Sequence, residues 1–525
     1  MTPTEASLTD GATNGTINRH WPHRGGSFEA LMTAEPEDAP MAGPLPDEVI
    51  ARVEAVSICS SDIKVVRMGP NHPLFSGTHE AVDTVLGHEV CLRVHAVGER
   101  QTEHFRPGQR LGLQPAIRMA GKRRIIGMDL PGGFAQYLRL GPEALADYVL
   151  DVPEALSAAT IALLEPYGCA ERAWRPNARQ HLKPGGTALI VSGPNADFDL
   201  AEVPDWSAVT VVGESPAFLE GRPATRVNDL AHIDGPFDDI LALGDLTAAQ
   251  LSRLCELLAT GGLLLQGRRS PSPGPVALDP ARVHYDHLSF LGTSERDLSA
   301  AFAPARQRFD ARPGGVALVH GAGGAMGRIH VHRLLQLEDG PATIIASSRK
   351  GQRLSDLERD FAPLARSAGR NLVVVGNDGL AQAIAEYAPR GLDDVVVVAP
   401  DPAAVSDAAG WLAPDGLLAV FAGFPYGQRL EIDLAAVALT GLRLTGSTGC
   451  SVADMRDVLA RVESGSLDLS ANIAAVAGLD ALPQALKSVA DGTVSGKIVI
   501  YPQRRDMPLT PATGWNAAKE AGLTG

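Results

Sequence analysis

Three short motifs in the first third of the chain carry side chains that can bind a metal ion. They are Cys59-Ser-Ser-Asp62, Gly87-His-Glu89 and Leu164-Glu-Pro166, and each places a cysteine, a histidine or a carboxylate at a predicted turn. Thiolate, imidazole and carboxylate are the ligands of catalytic zinc, which takes three protein groups and keeps a fourth position open. Each motif also has an ordinary structural interpretation, as a buried thiol, a hydrogen-bonded core histidine or a helix-start acid. The residue types alone leave both interpretations open.

A glycine-rich segment, His320-Gly-Ala-Gly-Gly-Ala-Met-Gly327, follows the apolar run Val316–Val319 and precedes a helical pattern. Small residues let the backbone approach a pyrophosphate, and the start of a helix offers free N–H groups to the anion. A glycine loop alone predicts only a tight turn, but the strand–turn–helix context favours a dinucleotide site. Its predicted residues are Gly321, Ala322, Gly324, Ala325, Met326 and Gly327.

The choice of cofactor is predicted from the end of the next strand. An acidic residue there would bind the ribose 2′-hydroxyl of NAD, but this chain has Ser347-Ser-Arg-Lys350. Ser348, Arg349 and Lys350 could bind a 2′-phosphate, so the sequence favours NADP over NAD. The alternative is a solvated basic turn without cofactor contact.

The glycine loop belongs to a repeated region. Residues 183–193 match residues 312–321 at an offset of 129 (313 − 184), and residues 288–293 match residues 442–447 at an offset of 154 (442 − 288). We call residues 181–311 the first copy and residues 312–463 the second copy. Because the offset grows by about 25 residues, the first copy has lost a segment soon after its first strand. Its corresponding loop, Ser192–Asp199, contains a proline and two aspartates, which predicts no dinucleotide binding.

Continuous apolar runs alternating with helical patterns predict a doubly wound α/β sheet in each copy. The second copy has six strand candidates: Val316–Val319, Thr343–Ala346, Leu372–Val375, Val395–Val398, Leu417–Phe421 and Leu442–Thr445. The first copy has five: Thr187–Val191, Val209–Val212, Ile240–Leu243, Leu263–Leu265 and Leu288–Leu291.

Composition narrows the classes of function. The 525 residues are enough for three or four domains, and 46 basic against 61 acidic residues give a net charge of −15. This charge argues against nucleic-acid and anionic-membrane partners. Five widely spaced cysteines predict no disulfide framework and, with no leader-like or spanning segment, a cytoplasmic protein. The polar residues 1–18 are predicted to form a disordered tail.

Six motifs in order resemble the zinc-dependent medium-chain dehydrogenases, most of all the sorbitol dehydrogenase and sorbose-1-phosphate reductase-like branch. The motifs are Val56–Lys64, Gly87–Glu89, Phe105–Leu111, Gly132–Tyr137, Leu163–Pro166 and Gly496–Ile500. The resemblance implies an α/β protein with a GroES-like β-rich catalytic domain (residues 19–180 and 464–525). Two tandem Rossmann-like units would lie between these segments: a degenerate one (181–311) and an NADP-binding one (312–463).

The resemblance also implies roles for individual residues. Cys59, His88 and Glu165 would bind the catalytic zinc, and Glu89 would be a neighbouring or exchangeable acid. Ser61 would relay the proton.

Two departures from the family pattern follow. Lys64 stands where many relatives have a relay histidine, and we count it among the candidate catalytic residues. Cys91 is the only cysteine where a structural zinc lobe would need four, so one catalytic zinc and no structural zinc are expected.

The implied activity is hydride transfer between NADP(H) and a sugar, sugar phosphate, polyol or cyclitol. Lys64 and Arg67, and the cluster Lys122–Arg124, are candidate contacts for a substrate phosphate, or simply solvated charges. The glycine loop also resembles that of zinc-free NADPH quinone and enoyl reductases, which is the first alternative. A non-catalytic NADP(H)-binding redox sensor is the second. A homodimer is compatible with the resemblance, although an extra unit could block or replace its contact.

Overall fold

The structure is a computed structural model that describes residues 16–72, 74–75, 84–175, 179–308 and 310–524. The chain divides into two units: residues 1–168 together with 450–525, and residues 169–449. Most of the predicted disordered tail, residues 1–15, lies outside the described residues, and the first strand begins at Ile17. The predicted domain boundaries near residues 180, 311 and 463 stay a prediction.

The first unit begins with a strand-rich segment. Its strands are β1 (Ile17–His20), β2 (Pro22–His23), β3 (Glu37–Pro40), β4 (Val49–Ser57), β5 (Thr84–Val85), β6 (Glu89–Val97), β7 (Arg110–Leu113), β8 (Ala116–Met119), β9 (Lys122–Ile125), β10 (Tyr137–Leu140) and β11 (Val149–Asp151). Its helices are α1 (Phe28–Thr33), α2 (Ser60–Met68), α3 (Pro142–Asp147), α4 (Ala158–Ala162) and α5 (Leu164–Ala173), the last of which runs into the second unit. The basic residues Lys122–Arg124 lie exposed on the β8–β9 hairpin.

The second unit contains the first copy and residues 312–449 of the second copy. The first copy has β12 (Thr187–Ser192), β13 (Ala208–Val212), β14 (Thr225–Val227), β15 (Phe237–Leu243), α6 (Ala248–Glu256), β16 (Leu258–Gly267), β17 (Val276–Leu278), α7 (Pro280–Tyr285) and β18 (Ser289–Thr293). The second copy has β19 (Val316–His320), α8 (Ala325–Leu335), β20 (Thr343–Ser348), α9 (Gln352–Ser367), β21 (Asn371–Gly376), α10 (Leu380–Tyr387), β22 (Leu392–Val397), α11 (Pro402–Gly410), β23 (Leu412–Val420), β24 (Leu430–Ile432), α12 (Ala436–Leu439) and β25 (Arg443–Gly446).

The chain then returns to the first unit with α13 (Val452–Glu463), β26 (Ile473–Gly478), α14 (Leu482–Asp491), β27 (Lys497–Tyr501), β28 (Thr510–Pro511) and α15 (Ala517–Ala521). Strand β27 is buried along its whole length and pairs antiparallel with β4. The returning segment therefore completes an eight-stranded sheet of order β11-β7-β6-β4-β27-β26-β28, with β10 also on β4.

The two copies have the same topology. Each forms a six-stranded parallel sheet, β14-β13-β12-β15-β16-β18 and β21-β20-β19-β22-β23-β25, with the strand order of a doubly wound nucleotide-binding fold. All eleven predicted strands are confirmed. The sequence missed β14, a three-residue strand with two exposed residues and no apolar run.

The first copy differs from the second after its first strand. Residues 193–207 contain no helix, whereas the corresponding segment of the second copy forms α8. Phe198 and Leu200 of this segment are buried and pack with Ile190, Leu241 and Leu265 of the sheet. Apolar loop residues thus cover the face that a helix covers in the second copy.

Within the part of the chain that the structure describes, none of the helices has the length and apolar character needed to cross a membrane.

Candidate metal and nucleotide sites

The start of helix α2 positions Cys59 and Ser61. Cys59 immediately precedes the helix, and its backbone N–H donates to the Asp62 carboxylate over 2.9 Å. This bond satisfies one of the free N–H groups at a helix start and fixes the turn. The Ser61 hydroxyl oxygen lies 3.5 Å from Nε2 of His88. The first two predicted motifs therefore meet in the fold.

His88 lies in the loop between β5 and β6, with its ring held between α2 and this loop. Oδ1 of Asp62 lies 3.6 Å from Nδ1 of the ring and accepts the N–H of Gly87 over 3.3 Å. Asp62 is fully buried. Its negative charge acts on the ring, while Nδ1 of His88 has no hydrogen-bond partner among the described residues. Asp62 has no role in the site predicted from the sequence, although an acid three residues after a cysteine at a helix start is a usable signal.

The donor atoms of Cys59, His88 and Glu89 all lie within 4.8 Å of one another. The Glu165 carboxylate is not in this group of described residues; it lies within 4.8 Å of the Cys450 thiol, and its charge acts on His88. The structure thus groups three of the predicted residues and places the fourth, Glu165, beside a cysteine for which the sequence gave no motif.

The electrostatics of this group favour a cation. Burial lowers the pKa of His88, but the Cys59 sulfur, the Asp62 carboxylate and, more weakly, Glu165 outweigh burial and raise the pKa to about 10. The negative charge of these groups therefore stabilises a positive charge at this buried position. Thiol, imidazole and carboxylate donors around such a position fit a divalent metal ion that prefers nitrogen and sulfur, as zinc does.

Glu89 is fixed by a buried ion pair. Its Oε1 accepts from Nζ of Lys497 over 2.6 Å, and the same ammonium donates to the backbone oxygen of Ile58 over 3.0 Å. Both side chains are at most 1% exposed. Burial lowers the pKa of Lys497, but Glu89 outweighs it and the pKa rises. Oε2 of Glu89 is buried and has no hydrogen-bond partner among the described residues, so it is available to a ligand.

Lys497 is a second residue that the sequence analysis left without a role. Its signal was a single lysine at the start of the apolar run Ile498–Tyr501. A buried lysine requires a partner, since an unpaired buried charge is costly.

The structure places Lys64 on the exposed side of α2. Its charge acts on His72, whose pKa is lowered first by burial and then by Lys64. Arg67, one turn further, donates to the backbone oxygen of Ala490 over 3.3 Å.

In the second copy, the glycine loop has the geometry of a strand–turn–helix junction. Gly321 has a φ of 94°, and the N–H groups of Gly321 and Ala322 donate to Ser347 at the end of β20. Gly324 precedes α8, and a Cβ there would meet no atom closer than 3.9 Å. Open space therefore surrounds the side-chain position of the residue that immediately precedes α8.

At Gly327, by contrast, there is no space for a side chain. A Cβ at this position would lie 2.4 Å from the backbone oxygen of Gly321 and 2.6 Å from Cα of Ala322. Glycine here allows α8 to pack closely on the loop, so the predicted glycines serve two purposes.

The basic residues after β20 have different neighbours. Nζ of Lys350 lies 2.7 Å from the Asp378 carboxylate, with both side chains largely exposed. Arg349 is exposed, and Arg353 in the first turn of α9 has its pKa lowered first by burial and then by Arg349. Arg349 and Arg353 therefore place two neighbouring guanidinium groups after β20, and the second was missed because it lies outside the Ser-Ser-Arg-Lys motif.

Comparisons with known proteins agree with this architecture. Residues 45–153 match the family model of the alcohol dehydrogenase GroES-like domain. The chain is 27% identical to L-sorbose 1-phosphate reductase of Klebsiella pneumoniae over 304 residues, which are 49% of this chain and 72% of the relative. It is 28% identical to sorbitol dehydrogenase of Bacillus subtilis over 182 residues, 32% of this chain and 48% of the relative. The chain is similar to the zinc-type medium-chain dehydrogenases. Like these relatives, it is an oxidoreductase.

Solved structures show the same fold for this chain. A zinc-binding dehydrogenase of Sinorhizobium meliloti bound to NADP has a TM-score of 0.52 at 17% identity, covering 93% of this chain and 100% of its own. The 2R,3R-butanediol dehydrogenase of Bacillus subtilis has a TM-score of 0.53 at 15% identity, covering 93% and 99%. The predicted fold class is therefore confirmed.

Proposed function

We propose that this dehydrogenase binds one zinc ion and NADP(H) and transfers a hydride between the cofactor and a polyol, sugar, sugar phosphate or cyclitol. The observation that carries the proposal is the clustered donor set of Cys59, His88 and Glu89, with its unpartnered Glu89 oxygen. The substrate class is supported by the relatives named for sorbose 1-phosphate and sorbitol.

In this proposal Cys59, His88 and Glu165 bind the zinc, and Glu89 is the neighbouring or exchangeable acid. When bound, zinc supplies Lewis-acid polarisation of the substrate oxygen. Asp62 fixes the Cys59 turn and places its charge 3.6 Å from the His88 ring, while Lys497 holds Glu89 in place. The Ser61 hydroxyl, 3.5 Å from His88, passes the substrate proton towards solvent.

The second copy binds the cofactor. Its glycine loop accepts the pyrophosphate at the start of α8, and Ser348, Arg349 and Lys350 contact the 2′-phosphate that distinguishes NADP. Arg353 joins them, since it adds a second guanidinium beside Arg349. The hydride chemistry itself belongs to the nicotinamide.

The first test is metal analysis of the purified full chain beside the Cys59→Ala variant. We expect about one zinc per chain in the wild type. The variant should lose the metal together with NADP-dependent oxidation of a polyol panel, because it lacks the thiolate donor.

Cys255→Ala is the matched control, since this thiol lies on α6 in the first copy. It should retain both the zinc and the activity. A wild-type protein that holds no zinc but reduces quinones with NADPH would replace the proposal with the zinc-free reductase. Nucleotide binding without turnover of either substrate class would identify a sensor.

A further inference from the structure

The contact between the two copies has an approximate two-fold symmetry. β17 of the first copy pairs antiparallel with β24 of the second, with Val276 opposite Ile432, Ala277 opposite Glu431 and Leu278 opposite Leu430. Residues 277 and 431 are separated by the repeat offset of 154, so they are the same position in the two copies. The strand pair is therefore centred on Ala277 and Glu431, which occupy equivalent positions in the two copies and lie opposite each other.

The packing on either side of this strand pair is reciprocal. Helix α7 of the first copy packs on β25 of the second, and α12 of the second copy packs on β18 of the first. A Cβ at Gly446 would lie 2.4 Å from the backbone oxygen of Val283, and a Cβ at Gly292 would lie 3.0 Å from the backbone nitrogen of Ala438. Gly292 and Gly446 are again 154 residues apart. In each copy, therefore, a glycine at the equivalent position allows the helix of the other copy to pack closely.

Two aspartates at equivalent positions make reciprocal hydrogen bonds between the copies. Asp279 caps α7 and also accepts the N–H of Gly427 in the other copy over 2.8 Å. Its counterpart Asp433 accepts the N–H of Ala435 and, from the other copy, the hydroxyl of Ser272 over 2.7 Å. Buried apolar residues of both copies form one continuous core across this contact.

In a two-fold dimer, a contact between one residue of the first subunit and another of the second also occurs with the subunits exchanged. We propose that the first copy acts as a built-in partner, which occupies on the second copy the surface that a second polypeptide would otherwise cover. This assigns a role to the copy that lacks a glycine-loop helix, and it depends on neither the proposed metal nor the proposed cofactor. Its consequences are that the two copies unfold together and that no second chain binds at β17 and β24.

Hydrogen exchange of the full chain tests the shared folding. Gly446→Ala places a methyl group against the first copy, so exchange should rise at least about tenfold in the core strands of both copies. Gly410→Ala is the matched control in the second copy, since a Cβ there meets nothing within 4 Å, and it should change neither. If Gly446→Ala loosens only the second copy, the proposal is wrong.

A milder variant and a mass measurement complete the test. Ser272→Ala removes two hydrogen bonds, one to Asp433 across the contact and one from the N–H of Gly274 within the first copy. It should speed exchange in the second copy as well as in the first. If Gly446→Ala does not fold, this variant decides between shared and separate unfolding.

Light scattering over a range of concentrations should give either one chain or an assembly that leaves residues 276–278 and 430–432 equally protected. Protection of those residues that grows with assembly would overturn the proposal.

Discussion

The basic side chains after β20 differ in how much of their charge is available to a ligand. The Lys350 ammonium is already paired with Asp378, whereas Arg349 stands beside Arg353, a second cation. An anion with two charges, such as a 2′-phosphate, would relieve that repulsion and gain charge-assisted hydrogen bonds. Arg349 is therefore expected to contribute more to cofactor selection than Lys350.

Arg349→Ala should weaken NADPH binding by about 1.5–3 kcal/mol, roughly 10- to 100-fold in Kd, because a charge-assisted contact is lost. NADH binding should change little. Fluorescence titration with both cofactors measures the two values.

Lys350→Ala is the comparison variant, and its effect on NADPH should be smaller. An equal loss for NADPH and NADH in Arg349→Ala would mean that the arginine supports the loop and does not recognise phosphate.

Lys64 allows a test of substrate charge. Its ammonium is exposed on the helix that begins beside Cys59, so it can meet an anionic substrate group without first breaking a buried pair. Lys64→Glu should raise KM for a phosphorylated sugar more than for the neutral sugar. Steady-state kinetics on matched pairs of substrates provide the measurement.

Lys64→Gln, which removes the charge without reversing it, should have an intermediate effect. A similar rise of KM for both substrates in Lys64→Glu would exclude a phosphate contact by this residue.

At this scale the sequence indicated side chains with donor atoms and missed those that position them. Cys59 and His88 stand out by residue type and motif and Glu89 by the resemblance, and the structure groups these three. The assignment of Cys59, His88 and Glu165 as the metal ligands stays a prediction. Asp62 and Lys497 act through the backbone of Cys59 and the carboxylate of Glu89, contacts that depend on a turn and on a strand more than 400 residues away. Cys450 lies near Glu165 only through the fold, so no local pattern could have indicated it.

The junction of β19 and α8 makes separate demands on two glycines of one loop. Gly327→Ala should destabilise the protein by about 1–3 kcal/mol, because the new methyl group would overlap backbone atoms of Gly321 and Ala322. Gly324→Ala should leave stability nearly unchanged, because the space around its Cβ is open. It should nevertheless weaken NADPH binding, since a methyl group then stands where the pyrophosphate approaches.

Denaturant unfolding and cofactor titration of both variants separate the two effects. Stability lost in Gly324→Ala but kept in Gly327→Ala would contradict the assigned roles.

The elements of the second unit were predictable because parallel strands buried on both faces are continuous apolar runs. Strand β14 escaped because Thr225 and Arg226 are exposed at the sheet edge and give no hydrophobic signal. The loss of the first helix in the first copy was visible as a change of offset. The way in which Phe198 and Leu200 replace the helix was not, because it depends on contacts with strands that lie later in the chain.

At the scale of the whole molecule, the repeat explains why the chain is longer than its relatives require. The sequence indicated two copies of one fold, and both sheets have the same strand order. It did not indicate that the copies face each other, because the β17–β24 pairing involves two three-residue strands without a recognisable motif. Symmetry of contacts can be recognised only after the offset is combined with three-dimensional positions.

The reciprocal contact also has a consequence for how the two copies can evolve. In a dimer of identical chains, every interface substitution occurs twice and must suit both sides. Here it occurs once, so the halves can diverge. Nδ1 of His284 lies 3.2 Å from the backbone oxygen of Val420, while the matching position in the second copy is Ala438. Each half can thus accumulate its own mutations, and one could lose its nucleotide loop while the other kept it.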